Sequence, residues 1–227
     1  MIHVLYFITR KPSVSDAEFH RYWREVHGPI AKKIPQLKRY AQSHRISFAG
    51  SNSSYDGAAE VWLDNDAALN ALRQSPEYLK GALADEPNFI DMNRVEWLVT
   101  NDHVILNGLQ TPQLVKGIFQ LKRKPGMSLA EFRKYWLEVH GPIVCKLPGL
   151  RRYVQCHAVD AAYSYAEPRW DGVAQLWVDD LNAYQRMLDS KEFKEESWPD
   201  GAKFLDQSMV SSFVAQEHQV LWPGSAA

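Results

Sequence analysis

The chain repeats itself. Residues 19–44 and 132–157 align without a gap at an offset of 113, with 16 of 26 positions identical. Within them FHRYWREVHGPI (19–30) returns as FRKYWLEVHGPI (132–143). Upstream, RKPSVSDAEF (10–19) faces RKPGMSLAEF (123–132). After a two-residue insertion YDGAAEVWLD (55–64) faces WDGVAQLWVD (170–179), SPEY (75–78) faces SKEF (190–193), and His103 faces His218. Such a duplication constrains the fold strongly, because each copy must build the same supersecondary unit. The repeats fall at 1–102 and 114–220, with a linker at 103–113.

Both copies read the same way. IHVLYFI (2–8) is an apolar run of β-forming residues, hence a strand. Ser15 and Ser128 stand three residues before Glu18 and Glu131, the S-x-x-E spacing of a capping box. On the helix this opens, Phe19, Tyr22, Trp23, Val26 and His27 form one apolar face that ends in a histidine. Gly28-Pro29 is expected to stop the helix, glycine as a left-handed cap and proline for want of a donor. RYAQSHRISF (39–48) follows as a strand with Tyr40, Gln42 and His44 on one side. GAAEVWL (57–63) is a third strand, and a broken helical region follows, with Ser75 as N-cap and Pro76 at its first position. MNRVEWLVT (92–100) is the fourth strand.

The order βαββαβ is the ferredoxin-like unit. Its open sheet face needs a cover, and two copies in one chain supply it to each other. The expected fold is α+β: two ferredoxin-like βαββαβ units packed sheet to sheet as an intramolecular dimeric α/β barrel, helices outside.

Composition narrows the partners. Lys plus Arg (26) nearly balance Asp plus Glu (27), which gives no electrostatic reason to expect nucleic acid or an anionic membrane. No apolar run reaches the ~20 residues needed to span a bilayer. MIHVLYFITRKP lacks a basic n-region and reads as a strand, not a signal peptide. Cys145 and Cys156 are the only cysteines, so a disulfide framework is not expected and a reducing cytoplasm fits. Eight Trp and ten Tyr suit a core and also a pocket for aromatic ligands.

His27 and His140 stand out because both copies keep the whole phrase around them while neighbours drift, Ala31 against Val144 and Lys32 against Cys145. A helix C-terminus favours the protonated imidazole and would hold it near neutrality as an acid–base group. Tyr22, Tyr40 and His44, with Tyr135, Tyr153 and His157, are placed to converge on it. A structural histidine bonded within the core is the plain alternative.

F-x-x-Y-W-x-x-x-H-G-P-I followed by P-x-L-x-x-Y resembles the EthD family, and the resemblance covers both halves. It implies the dimeric α/β barrel and a ligand cavity between each sheet and its own helices. Family members are usually single units that pair. Fusion of two makes this chain a monomeric pseudo-dimer or, through its outer faces, a homodimer. The family is associated with degradation of ethers and other small organics, and relatives of the barrel rearrange lactones or process polyketides without a cofactor.

The expected activity is therefore cofactor-free acid–base chemistry, of lyase or isomerase type, on a small apolar carbonyl or phenolic compound. His27 or His140 would move the proton, Tyr22 and Tyr135 would bond a developing oxyanion, and Glu60, where the second copy has Gln175, would orient His27 or serve as a second base. Tyr40, His44, Trp62, Tyr153, His157 and Trp177 would line the substrate cavity. If one half is active, Glu60 favours the first. Asp56-Gly57 and Asp171-Gly172 read as turns. The alternatives are a non-catalytic binder and a haem- or oxygen-dependent enzyme. A metal set of His140, Cys145, Cys156 and His157 lacks paired cysteine spacing, and no cofactor or metal is expected. GxGxxG, GxxxxGK[ST] and HExxH motifs do not occur.

Overall fold

The computed structural model describes residues 1–164 and 166–224. Two compact units emerge. The first holds Met1–Arg45, Ser54–Val99 and the residues from Glu217 onward, and the second Ile46–Ser53 and Thr100–Gln216.

In the first unit, β1 (Ile2–Ile8), β2 (Arg39–Arg45) and β3 (Gly57–Leu63) form an antiparallel set with β3 in the middle. Its register places Leu5 opposite Glu60 and Ala41 on the other side of the same residue. Helix α1 (Asp16–Tyr22) begins at Ser15, whose hydroxyl accepts from the Glu18 amide. The glutamate does not complete the box, since its carboxylate takes Arg21 at 2.7 Å instead. In the second copy Lys134 stands there, and Ser128 and Glu131 make the full box.

Gly28-Pro29 does not stop α1. The helix widens into a π-helical stretch, Trp23–His27, and ends one turn later at Gly28–Ala31, with Gly28 in right-handed conformation. The Gly28 amide reaches back to the Trp23 carbonyl, five residues away. Widening brings the proline into the helix despite its missing donor. It also gives the Trp23 carbonyl a second donor, the Gln42 amide of β2, at 2.8 Å. Gly57 is no turn residue. It opens β3, and a Cβ there would lie 2.6 Å from the Trp23 ring. Phe19, Trp23, Phe89, Ile90 and Ile8 form the core at this end.

After α2 (Asp66–Gln74), a further π-helical stretch (Glu77–Ala82) leads through Leu83–Asp85 to a short 3-10 turn, Glu86–Asn88. Strand β4 runs Glu96–Leu106, longer than the expected 92–100, so residues 103–106 are strand. Its residues from Thr100 belong to the second unit, where they pair with the strand Leu150–Ala158.

The second unit repeats the pattern with β5 (Val115–Leu121), helix α3 (Leu129–Tyr135) and its π-helical extension Trp136–His140, β6 (Leu150–Ala158), β7 (Gly172–Val178), α4 (Leu181–Asp189) and β8 (Ser211–Leu221). Strand β7 pairs with both β5 and β6, and β5 also with β8. Gly172 makes the same room for Trp136 that Gly57 makes for Trp23.

Candidate active site

Each unit has a cavity between its sheet and its own helices. In the first unit it measures about 390 Å³, within the range of small-molecule sites. Its walls are apolar, from Ile34, Leu37, Val61 and Leu72 among others. Six of the lining side chains are titratable or charged: Tyr6, His27, Tyr40, Arg73, Tyr78 and Glu86.

His27 sits in the π-helical stretch and is 6% exposed. Its Nδ1 lies 2.9 Å from Asp85 Oδ2, and the Tyr22 hydroxyl donates to the other oxygen, Oδ1, at 2.7 Å. Asp85 accepts at both oxygens, so the neutral ring carries its proton on Nδ1 and leaves Nε2 as a base. Burial lowers the His27 pKa, with Asp85 opposing. The helix runs on past His27, so this ring is a buried neutral imidazole rather than a charged helix cap.

Glu86 follows Asp85 directly. Burial, reinforced by the Asp85 charge, pushes its carboxyl up to about 7. A carboxyl raised this far can give up a proton near neutral pH, and it shares the cavity lining with His27. Burial also raises Tyr6, and raises Tyr40 to about 12, so both are neutral phenols. The Tyr40 oxygen accepts from Gln42 Nε2 at 2.9 Å, which leaves its own proton to donate.

Several expected residues stand elsewhere. Tyr22 and Tyr135 bond Asp85 and Asp200 rather than a substrate oxygen. Glu60 faces the opposite side of β3 from Ala59 and Val61, fully buried, with Ser43 Oγ at 2.5 Å and His3 Nε2 at 3.5 Å. It cannot reach His27, because successive strand residues point to opposite faces. Trp62 shares that side and stacks on His3 at 4.0 Å. Trp177 lies on the corresponding side of β7, beneath Lys116 and Arg152. His44 stacks on Trp23, and its pKa falls to about 2 through burial and then His218 and His20. His157 stacks on Trp136 in the same way. Tyr40 and Tyr153 do line the cavities of their units. Among the described residues, His140, Cys145, Cys156 and His157 form no metal-holding group.

The second unit keeps the pair, His140 Nδ1 to Asp200 Oδ2 at 2.9 Å, but its cavity is only about 60 Å³. Phe119 replaces Tyr6, Phe193 replaces Tyr78, Leu188 replaces Arg73 and Gly201 replaces Glu86, while Trp198 takes the place of Leu83. Of these only Trp198 is larger than its counterpart, and the polar atoms and the acid are gone.

Sequence reasoning missed both aspartates and Glu86. Asp85 and Asp200 keep the 115-residue offset that already aligns SPEY with SKEF, and carrying that comparison ten residues further finds them. It would also have shown Glu86 against Gly201.

The first unit thus joins a sheet-and-helix fold to an apolar cavity with few polar groups. The EthD domain family matches residues 11–93 and again 124–208, and the chain belongs to that family as a tandem duplication. It is 28% identical over 115 residues to the conidial pigment biosynthesis dehydratase EthD of Metarhizium robertsii, covering 45% of this chain and 81% of the relative. Among solved structures, an anthrone oxidase-like protein matches with a TM-score of 0.67 at 11% identity, over 100% of this chain and 95% of the other. A heme-binding protein from Thermus thermophilus matches with a TM-score of 0.53 at 13% identity, over 96% of this chain and 92% of the other. These structural likenesses show the fold, the dimeric α/β-barrel class carried in one chain. Among the described residues, no helix is long and apolar enough to cross a membrane.

Proposed function

We propose that the first unit is a cofactor-free dehydratase acting on a small aromatic or hydroaromatic β-hydroxy carbonyl compound. The presence in one 390 Å³ cavity of His27, held by Asp85, and of Glu86, whose carboxyl is raised to about 7, carries this reading. Elimination of water needs one base and one acid with pKa values on either side of the working pH, and this pair supplies them. The name of the M. robertsii relative supports the same reaction class.

His27 Nε2 removes the proton α to the carbonyl. The electron pair moves into an enolate whose oxygen is bonded by the Tyr40 hydroxyl, a donor already oriented by Gln42. Collapse of the enolate forms the C=C bond and breaks the C–O bond, and Glu86 gives the departing hydroxide its proton as water. The proton on His27 returns through solvent to Glu86. Asp85 stays ionised throughout and stabilises the imidazolium.

A haem does not fit this cavity. Two propionates need basic partners, whereas Arg73 is the one basic side chain besides His27 in the lining, and Glu86 places a carboxyl inside. Free thiols at Cys145 and Cys156 support a reducing, cytoplasmic setting.

The test is turnover of a bicyclic β-hydroxy ketone whose dehydration gives a phenol, followed by ultraviolet absorbance. Wild type should convert it, and Glu86→Gln and His27→Gln should each lose the reaction while melting near the wild-type temperature. Binding without turnover by the wild type would replace the enzyme reading with that of a carrier.

A further inference from the structure

The cavity lining carries two basic side chains. One is His27, held by Asp85. The other is Arg73, in the last turn of α2, whose guanidinium carbon lies 5.0 Å above the ring of Trp97. Both residues line the cavity and both are exposed, Trp97 at 52%, so they stand where it meets solvent. Such exposure is unusual for a tryptophan of a strand that is otherwise buried at Leu98 and Val99. The Tyr6 and Tyr78 phenols feel the charges of both Arg73 and Glu86, and these two phenols line the same cavity. No carboxylate partner of Arg73 occurs among the described residues' ion pairs. In the second unit, where the corresponding cavity is smaller, the matching residues are Leu188 and Ser212.

We propose that Arg73 and Trp97 form a specificity clamp for an anionic substituent, so that the substrate is an aromatic compound bearing a carboxylate or phenolate remote from its reacting carbonyl. An arginine fork suits a carboxylate in two parallel hydrogen bonds, and the indole face holds the guanidinium in plane and offers a surface for an aromatic ring. Tyr6 and Tyr78 line the same cavity, feel the Arg73 charge and add neutral donors. Binding there sets the reacting end of the molecule toward His27. This rests on the cavity being the substrate site, as the proposed function has it, but not on the reaction being a dehydration.

Binding of naphthoate and of uncharged naphthamide, by quenching of tryptophan fluorescence and by calorimetry, tests the clamp. Wild type should favour naphthoate by about tenfold or more, the scale of one charge-assisted pair. Arg73→Gln should abolish the preference while leaving naphthamide affinity unchanged. Arg73→Lys should keep only part of it, as a point charge cannot make the fork. An arginine that merely serves the end of α2 would lower the melting temperature in Arg73→Gln and leave the preference intact, which would overturn the proposal. Equal affinity for the two probes in the wild type, or binding of neither, would also overturn it. A preference removed by Arg73→Gln in a protein that dehydrates nothing would uphold the clamp and refute the dehydratase.

Discussion

Asp85 holds His27 by an Oδ2 to Nδ1 contact of 2.9 Å, from a helical segment 58 residues further along the chain. The carboxylate fixes the tautomer that leaves Nε2 unprotonated toward the cavity. Asp85→Asn should present an amide donor to the same nitrogen and favour the wrong tautomer. Turnover should fall about a hundredfold or more, with KM little changed. Steady-state kinetics on the bicyclic β-hydroxy ketone check this, and a change confined to KM would assign Asp85 to packing.

The pH profile of kcat/KM should be a narrow bell. His27 must be neutral to act as base, and burial sets its pKa below the usual histidine value, so this limb lies on the acid side. Glu86 must be protonated, so activity should fall as pH rises through about 7. Glu86→Asp should shift the alkaline limb, while a profile unaltered by that change would remove Glu86 from the reaction.

Stability should also depend on pH through Glu86. Its folded pKa is raised to about 7 from an ordinary 4.5, so the folded state binds the proton more tightly. The contribution is present below the unfolded value and is lost as pH rises through the folded one. Glu86→Gln should therefore gain melting temperature relative to wild type at about pH 9 compared with about pH 4. For the buried histidines His27, His44 and His157 the folded pKa is depressed and the sign reverses, with stability lost as pH falls below the unfolded histidine value.

The repeat unit was legible because strand and helix periodicities are local properties, and duplication showed them twice. The extent of α1 was not. Gly-Pro normally ends a helix, and only the hydrogen bond from Gln42 to the Trp23 carbonyl reveals why it does not here. Glu60 attracted attention as a carboxylate that differs between copies, yet the face on which it lies is set by strand register, which a single sequence leaves open. Asp85 and Glu86 lie in short helical turns without periodicity, and their meaning depends on a contact with a histidine 58 residues away.

Gly57 tests the socket that seats Trp23 behind the cavity. Gly57→Ala would press a methyl group into the indole and the Ser43 carbonyl, at 2.6 and 2.7 Å before relaxation. The expected loss is about 1–3 kcal/mol, measured by urea unfolding. The matching Gly172→Ala should cost a similar amount, and it should leave turnover intact if the second unit takes no part in the reaction.

The central claim is that the His–Asp pair works in the first unit, and that the second keeps its pair for structure alone. Turnover of His27→Gln and of His140→Gln, measured side by side on folded protein, tests this most directly. Activity should fall by about a hundredfold or more in His27→Gln and stay close to wild type in His140→Gln. Equal loss in both, or loss only in His140→Gln, would contradict it.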